Sequence, residues 1–315
     1  LAVALGSLIE KFSEFDGVAV TMTGELADCF QTREEGVCRI LEQITSILPA
    51  PLVRVYGVDG NWMSVSQAAR QPWNTAASNW HAMAQFALRW KSKSTCILVD
   101  VGSTTCDVIP LDKQGIATAA TTDSQRLQLE QLVYTGIERT PVCAVVRQLP
   151  LHGQPTPVMA ELFATMKDVY VWLGNLPERP NDTDTADGRP SDRQGAAFRL
   201  ARMVGEDGST LLKSDLDRLA EAAASAQAQL LASAIDRQRR LLASDPAVQF
   251  IVSGHGGFLI EAALAHLGWR PHVIDLTEKI GASAARCGPA MAVASLALEQ
   301  LGDLFPIPKS PTKAR

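Results

Sequence analysis

The sequence predicts an α/β fold in two related units, on three observations. Strand-type apolar runs alternate with helical periodicity through residues 1–94, and three consecutive β-prone runs joined by tight turns begin near residue 95. Both parts then close on strand, helix, strand, helix, as a duplicated fold would. The second part opens with a hairpin meander that the first lacks.

The elements follow in order. "LAVALGSLIEKFSE" has the i, i+3, i+4 apolar rhythm of a helix, and it leads into "FDGVAVTMTGEL", a short β-branched strand ending at a glycine turn. In "TREEGVCRILEQITSIL" Thr32 is the expected N-cap, with acidic residues in the first turn where the helix dipole favours them. "PLVRVYGVDGNWMSV" reads as two strands, and "NTAASNWHAMAQFALRW" as a helix whose aromatics are core rather than a stacking platform. The meander is "TCILVDV", "CDVIPLD" and "GIATAATT". A helix over 124–135, the alternating "PVCAVVRQLPLHGQPTPVMA", the helical "ELFATMKDVYVWLG" and the polar loop "NLPERPNDTDTADGRP" come next. Helices over 191–204 and 213–242 precede the strand "VQFIVSG", the helix "GFLIEAALAHLG", the strand "HVIDL" and the helix "GPAMAVASLALEQLG". The tail 306–315 is expected to be flexible.

With 315 residues and 46% hydrophobic content, the chain can build two domains sharing a cleft. Lys and Arg number 29 against 34 Asp and Glu, a net charge of −5, and no basic stripe with interleaved aromatics appears. That excludes the electrostatic footprint of a nucleic-acid binder. The six cysteines are scattered without a Cys-x-x-Cys pair, as in reduced cytoplasmic proteins, and His81 and His152 match no metal-ligand spacing. No apolar run spans a membrane, so no membrane partner is expected. The composition leaves the oligomeric state open.

Two glycine motifs carry the chemistry. In "LVDVGSTTCDVIPL" Gly102 permits close backbone approach, and Ser103, Thr104 and Thr105 supply hydroxyls and N–H groups that can cradle phosphoryl oxygens. Asp100 and Asp107 flank the turn, and hard carboxylates there suit Mg²⁺ held jointly with substrate phosphates. The competing reading is a Thr-rich hairpin turn with solvated acids. In "IVSGHGGFLIEAAL" Gly254, Gly256 and Gly257 lie between a buried strand and a helix start, which admits a nucleotide or phosphate to the backbone. Plain turn chemistry competes here also, and His255 reads as a turn histidine. "DTDTADGRP" fails as an EF-hand loop because Ala186 and Arg193 stand where acids belong. Arg139, after a helix, offers a phosphate fork or a surface ion pair, and Glu161 is expected to open an apolar helix, where an N-terminal dipole contact competes with a catalytic role.

These motifs together resemble a known family. "LVDVGSTTCDVIPL" is similar to the second phosphate motif, and "IVSGHGGFLIEAAL" to the adenosine-side motif, of the actin, sugar kinase and Hsp70 superfamily; "CGPAMAVASLAL" is similar to its last connecting helix. More narrowly, "VTMTGELADCFQTREEGV", "YTGIERTPVCAV", "AELFATMKDVYVWLG" and "DTDTADGRP" with "RLARMV" resemble the hydantoinase A/oxoprolinase-related family linked to tetrahydromethanopterin and methanofuran C1 metabolism.

The resemblance implies two RNase H-like (actin/Hsp70-type ATPase) domains. The first, 1–94, is truncated. The second, 95–305, has a helical and loop insertion at about 121–245, and the two face each other across a phosphate cleft. Family members open with an Asp-Ile-Gly-Gly-x-Asn hairpin, so the expectation is a missing upstream hairpin and a chain whose activity by itself is in question. The resemblance further implies that Glu25 faces the cleft as acceptor or base, and that Asp184, Asp187 and Arg189 form a lid over a diphosphate. The expected reaction joins a furanylmethyl diphosphate to a tyramine-type phenol with release of diphosphate, the phenolic proton passing to a carboxylate. An ATP-dependent lactam or amide hydrolase, in which ATP is the cofactor, and a non-catalytic nucleotide-binding partner are the alternatives.

Overall fold

The computed structural model describes residues 1–12, 14–92, 95–242 and 248–305. The predicted tail, 306–315, and the last residues of the predicted insertion, 243–245, lie outside them. The mixed α/β chain divides into two compact units. One gathers Leu1–Trp90, Gly115–Arg126 and the chain from Cys287; the other joins Lys91–Gln114 to Leu127–Arg286. The boundary expected at 94/95 thus omits two returns to the first unit. The larger one has a packing cause: the closing helix Gly288–Glu299 lies on the helix Asn79–Ala87 and on the strand Val18–Val20.

In the first unit, Val18–Val20 runs parallel to Val53–Tyr56, which pairs antiparallel with Trp62–Met63. The helix Arg33–Thr45 begins as its letters predict. Thr32 Oγ1 accepts from the Glu35 N–H at 3.1 Å, and the Glu35 carboxylate accepts from the Gln31 N–H at 2.9 Å. Val37, Leu41 and Ile44 then fall on one face and pack on Val53, Val55 and Met63, each buried side chain contributing about 1.5–3 kcal/mol. Gly36 lets this helix close on the preceding loop, since a Cβ there would meet the Glu25 carbonyl oxygen at 2.1 Å.

In the second unit, Cys96–Val101 pairs antiparallel with Cys106–Asp112 and parallel with Gln249–Gly254, which in turn runs parallel to Val273–Asp275. A hairpin continued by parallel strands is the arrangement the RNase H-like reading requires. The third meander run is shorter than expected: "GIATAATT" forms a strand only over Gly115–Ile116, because small Ala and Thr side chains offer little to bury on a pleated face. Cys106–Asp112 also pairs antiparallel with Leu132–Val133, so the helix expected over 124–135 stops at Gln128. Glu161 opens no helix either. That helix is Met166–Leu173, started by a reciprocal cap between Thr165 and Asp168. The 29-residue helix Lys213–Leu241 buries Leu216, Leu219, Ala220, Ala223, Gln227, Leu231 and Ile235 along one stripe, packed against the helices Met166–Leu173 and Gly257–His266. Among the described residues no helix is long and apolar enough to cross a membrane.

Candidate functional site

The hairpin register sets Asp100 directly opposite Asp107, so both carboxylates leave the same face of the sheet. Two residues on, the Gly102 N–H donates to the Thr105 carbonyl at 3.0 Å and closes the turn. The carbonyls inside the turn are used. That of Gly102 accepts from the Ile137 N–H at 3.1 Å, and that of Ser103 accepts from Glu138 and Arg139 at 3.1 and 2.9 Å. Among the described residues, the N–H groups of Ser103, Thr104 and Thr105 donate to nothing. The outcome is a small shell of open donors beside two carboxylates, the arrangement that binds anions.

Support for the turn comes from below. A Cβ on Gly136 would lie 2.4 Å from the Thr104 nitrogen, so only glycine lets this segment pass beneath the turn. The Gly136 N–H donates to Thr140 Oγ1 at 2.8 Å, and its carbonyl accepts from Gln227 Nε2 at 2.9 Å. Gln227 Nε2 also donates to Thr135 Oγ1 at 2.7 Å, while the Tyr170 hydroxyl donates to Gln227 Oε1. This buried network fixes the platform on which the open donors stand.

The glycine turn abuts the same strand. Ser253 is in register with Asp100 and Gly254 with Val101. Gly254 has φ +85° and could carry no Cβ, which would meet the Val101 carbonyl oxygen at 2.1 Å; the Gly256 N–H donates to that oxygen at 3.3 Å. A Cβ on Gly257, at the start of its helix, would by contrast meet nothing. Ser253, Gly254, His255, Gly257, Phe258 and Thr277 line a cavity of about 340 Å³. Ser253 is 2% exposed, and its hydroxyl lies beside the Asp100 carboxyl.

Burial, and then the like charge of Asp107, push the Asp100 carboxyl up to about 7; the nearby Ser253 hydroxyl and His255 offset only part of the rise. Glu138 shifts the other way. Its hydrogen bond with His255, at 3.2 Å from Nε2, holds it below the usual carboxylate range against the push of burial, helped by Arg286 at 3.5 Å. Among the described residues no three His, Cys, Asp or Glu side chains converge to hold a metal by themselves. Asp100 and Asp107 nevertheless fit Mg²⁺ of the kind whose remaining ligands are phosphate and water.

The Arg139 side chain is exposed; only its backbone N–H reaches the turn. Asp187 is bound by Arg199 at 2.9 Å and Arg202 at 3.1 Å, and the Asp184 carbonyl accepts from Lys167 at 2.8 Å. The Arg189 carbonyl accepts from Thr185 Oγ1 at 2.7 Å. Glu25 belongs to the first unit. It is 1% exposed with Oε2 unpaired, and burial raises its carboxyl against its own backbone N–H and the neighbouring Arg33. The structure adds residues that sequence reasoning missed: Glu138, His255, Ser253, Gln227 and Arg199. Only Gln227 carried a signal, as an amide on the apolar stripe of an Ala-rich helix.

Comparison with known proteins completes the picture. The profile of the Hydantoinase/oxoprolinase family matches residues 16–300. Over 300 residues the chain is 32% identical to the (4-{4-[2-(gamma-L-glutamylamino)ethyl]phenoxymethyl}furan-2-yl)methanamine synthase of Methanocaldococcus jannaschii, covering 94% of this chain and 87% of that protein. The protein of the same name from Methanococcus vannielii is 27% identical over 208 residues, 65% of this chain and 92% of its own. Among solved structures, nucleotide-free acetone carboxylase shares 15% identity at a TM-score of 0.47, over 83% of this chain and 39% of that one. The ATP-dependent caprolactamase of Pseudomonas jessenii shares 14% at 0.44, over 80% and 38%. The chain thus spans well under half of either.

Proposed function

The chain belongs to the hydantoinase/oxoprolinase family, and from that premise we propose that it is a transferase of methanofuran-like cofactor synthesis, joining a furanylmethyl diphosphate to a tyramine-type phenol with release of diphosphate. The observation that carries the reading is the turn at Ser103, Thr104 and Thr105, whose three N–H groups donate to nothing and stand beside the Asp100 and Asp107 pair. Such a turn suits a leaving diphosphate. The choice of diphosphate donor over ATP rests on the relatives, whose printed name describes a phenoxymethyl-furan, an aryl ether.

In this reading the open N–H groups and hydroxyls bind the diphosphate oxygens most strongly as charge develops on them. Asp100 and Asp107 would hold Mg²⁺, which would neutralise part of that charge. Gly257, free of neighbours at the start of a ten-residue helix, presents further backbone donors. As the carbon–oxygen bond to diphosphate breaks, the phenol oxygen forms the new bond and its proton leaves to a base.

The test is to give the full-length protein furanylmethyl diphosphate with glutamyl-tyramine, and separately ATP with a cyclic amide, and to follow ether, diphosphate and phosphate by mass spectrometry. Ether and diphosphate are expected in equal amounts. ATP cleavage that depends on the amide, with no ether formed, overturns the reading.

A further inference from the structure

The reaction proposed above needs a base for the phenol, and every carboxylate beside the donor turn already has another use. Asp100 and Asp107 face each other next to the diphosphate site, where their charge serves the leaving group and its counterion. A separate group stands at the glycine turn. His255 lines the cavity of about 340 Å³, and its Nε2 lies 3.2 Å from Glu138 Oε1. Glu138 Oε1 also meets Arg286 at 3.5 Å. A carboxylate on Nε2 places the ring's proton there and leaves Nδ1 with its lone pair. Among the described residues Nδ1 has no hydrogen-bond partner.

Two hydrogen bonds tie this pair to the leaving-group turn. The Glu138 backbone N–H donates to the Ser103 carbonyl at 3.1 Å, so one residue holds both the turn, by its main chain, and the imidazole, by its side chain. On the other side of His255, the Gly256 N–H donates to the carbonyl of Val101, the residue after Asp100. The base and the diphosphate donors are therefore fixed at the same end of the strand Cys96–Val101. The same cavity contains the buried Ser253 hydroxyl, in register with Asp100 and beside the carboxyl that it helps to hold down.

We infer that His255, held by Glu138, is the general base for the acceptor phenol, and that the phenol docks in this cavity. The inference rests on the transferase reading above. The phenolic O–H bond breaks and its proton passes to Nδ1. The oxygen's electron pair forms the ether bond to the furanylmethyl carbon, and the carbon–diphosphate bond breaks with its pair leaving on the diphosphate. His255 is the catalytic residue, and Glu138 a positioning residue acting through it.

Full-length protein is assayed with furanylmethyl diphosphate and two acceptors: a tyramine-type phenol, whose ordinary pKa is about 10, and a ring-nitrated counterpart already ionised at the assay pH. His255→Asn is expected to lower kcat about a hundredfold or more with the ordinary phenol. With the nitrated acceptor, which has no proton to give, it stays within about tenfold of the unmodified protein. Glu138→Gln is expected to show the same selectivity at about tenfold, without change in the KM for the diphosphate.

The ionised acceptor doubles as the folding control, because a misfolded variant loses both reactions. Equal loss with both acceptors in a variant whose Tm matches that of the unmodified protein overturns the assignment, and so does equal retention. If the unmodified protein makes ether but His255→Asn does not discriminate between acceptors, the base is wrong while the transferase reading stands. If the unmodified protein makes no ether with either acceptor, the transferase reading fails and the base falls with it.

Discussion

The 102–105 turn and the 182–189 loop are both built from Gly, Thr and neighbouring Asp, and both belong to the second unit. Their polar groups meet different fates. In the turn, three N–H groups donate to nothing, and Asp100 sits beside a like charge in a crowded place. In the loop, Asp187 is held by two arginines, Lys167 bridges the Asp182 carboxylate and the Asp184 carbonyl, and Arg199, fully buried, also reaches Asp168 at 2.8 Å. Groups that the fold satisfies hold the fold together. Groups that it leaves unsatisfied, at a cost in stability, are the ones with capacity for a ligand.

The sharpest way to break this contrast is Asp100→Asn, which should lower turnover by about a hundredfold or more and yet stabilise the protein at alkaline pH. The sign follows from proton linkage. The folded Asp100 holds its proton up to about 7, whereas the unfolded group releases it near 3.8. Its contribution to stability therefore declines as pH rises between those values and is fully unfavourable above them. Thermal melts of ligand-free protein across that window should slope less in the variant. A variant that melts lower at every pH, with turnover intact, would make Asp100 a structural acid like Asp187.

The reverse outcome is expected in the loop. Arg199→Ala strands Asp168 and leaves Asp187 with Arg202 alone, and breaking a buried pair on one side costs about 3–5 kcal/mol. Urea denaturation should show that loss, while kcat per folded molecule changes by less than about threefold. A fall in kcat without a fall in stability would restore the loop to its expected place as a lid over the diphosphate.

Between these extremes lies Gln227, which is fully buried yet serves the turn. Gln227→Leu removes the donor to Thr135 Oγ1 and the Gly136 carbonyl, and also the acceptor for Tyr170. The expected cost is about 1–3 kcal/mol, accompanied by a rise in the KM for the diphosphate as the platform under the turn loosens. Lost stability with an unchanged KM would separate the platform from the site.

What the letters reveal divides along the same line. The hairpin, its flanking acids, the glycine turn and the cap at Thr32 are local in sequence, and each was legible from residue type and spacing alone. The partners that give them meaning are not local. His255 reads as a turn residue until Glu138, 117 positions away, is brought to it by the fold. Glu138 in turn looks like any exposed acid in "GIERTP" until its N–H is seen on Ser103. Arg199 and Asp187 are close in sequence, but the buried Asp168 that completes their network lies 31 positions from Arg199, so the ion pairs that tie down the acidic loop are invisible in the letters. The place of Gly288–Glu299 in the first unit was hidden for the same reason.

Glu25 extends the comparison to the first unit, where it is the carboxylate that most resembles Asp100: buried, with one oxygen lacking a partner, and raised by burial above its ordinary 4.5. The resemblance is incomplete. The like charge of Asp123 pushes Glu25 up less than Arg33 draws it back down, and Arg33 is itself paired with Asp123 at 2.8 Å. The burial cost should therefore be smaller. The linkage sign is the same as for Asp100: the stability Glu25 contributes falls as pH rises above its ordinary value, because the folded group keeps a proton that the unfolded one releases. Glu25→Gln should flatten that part of the pH–stability curve and raise Tm at alkaline pH. If the same variant also loses turnover, the orphaned oxygen serves a ligand as Asp100 does. If turnover is unchanged, the first unit tolerates a buried acid for the sake of packing against Gly36, and the rule that unsatisfied groups mark the site holds only where several of them converge.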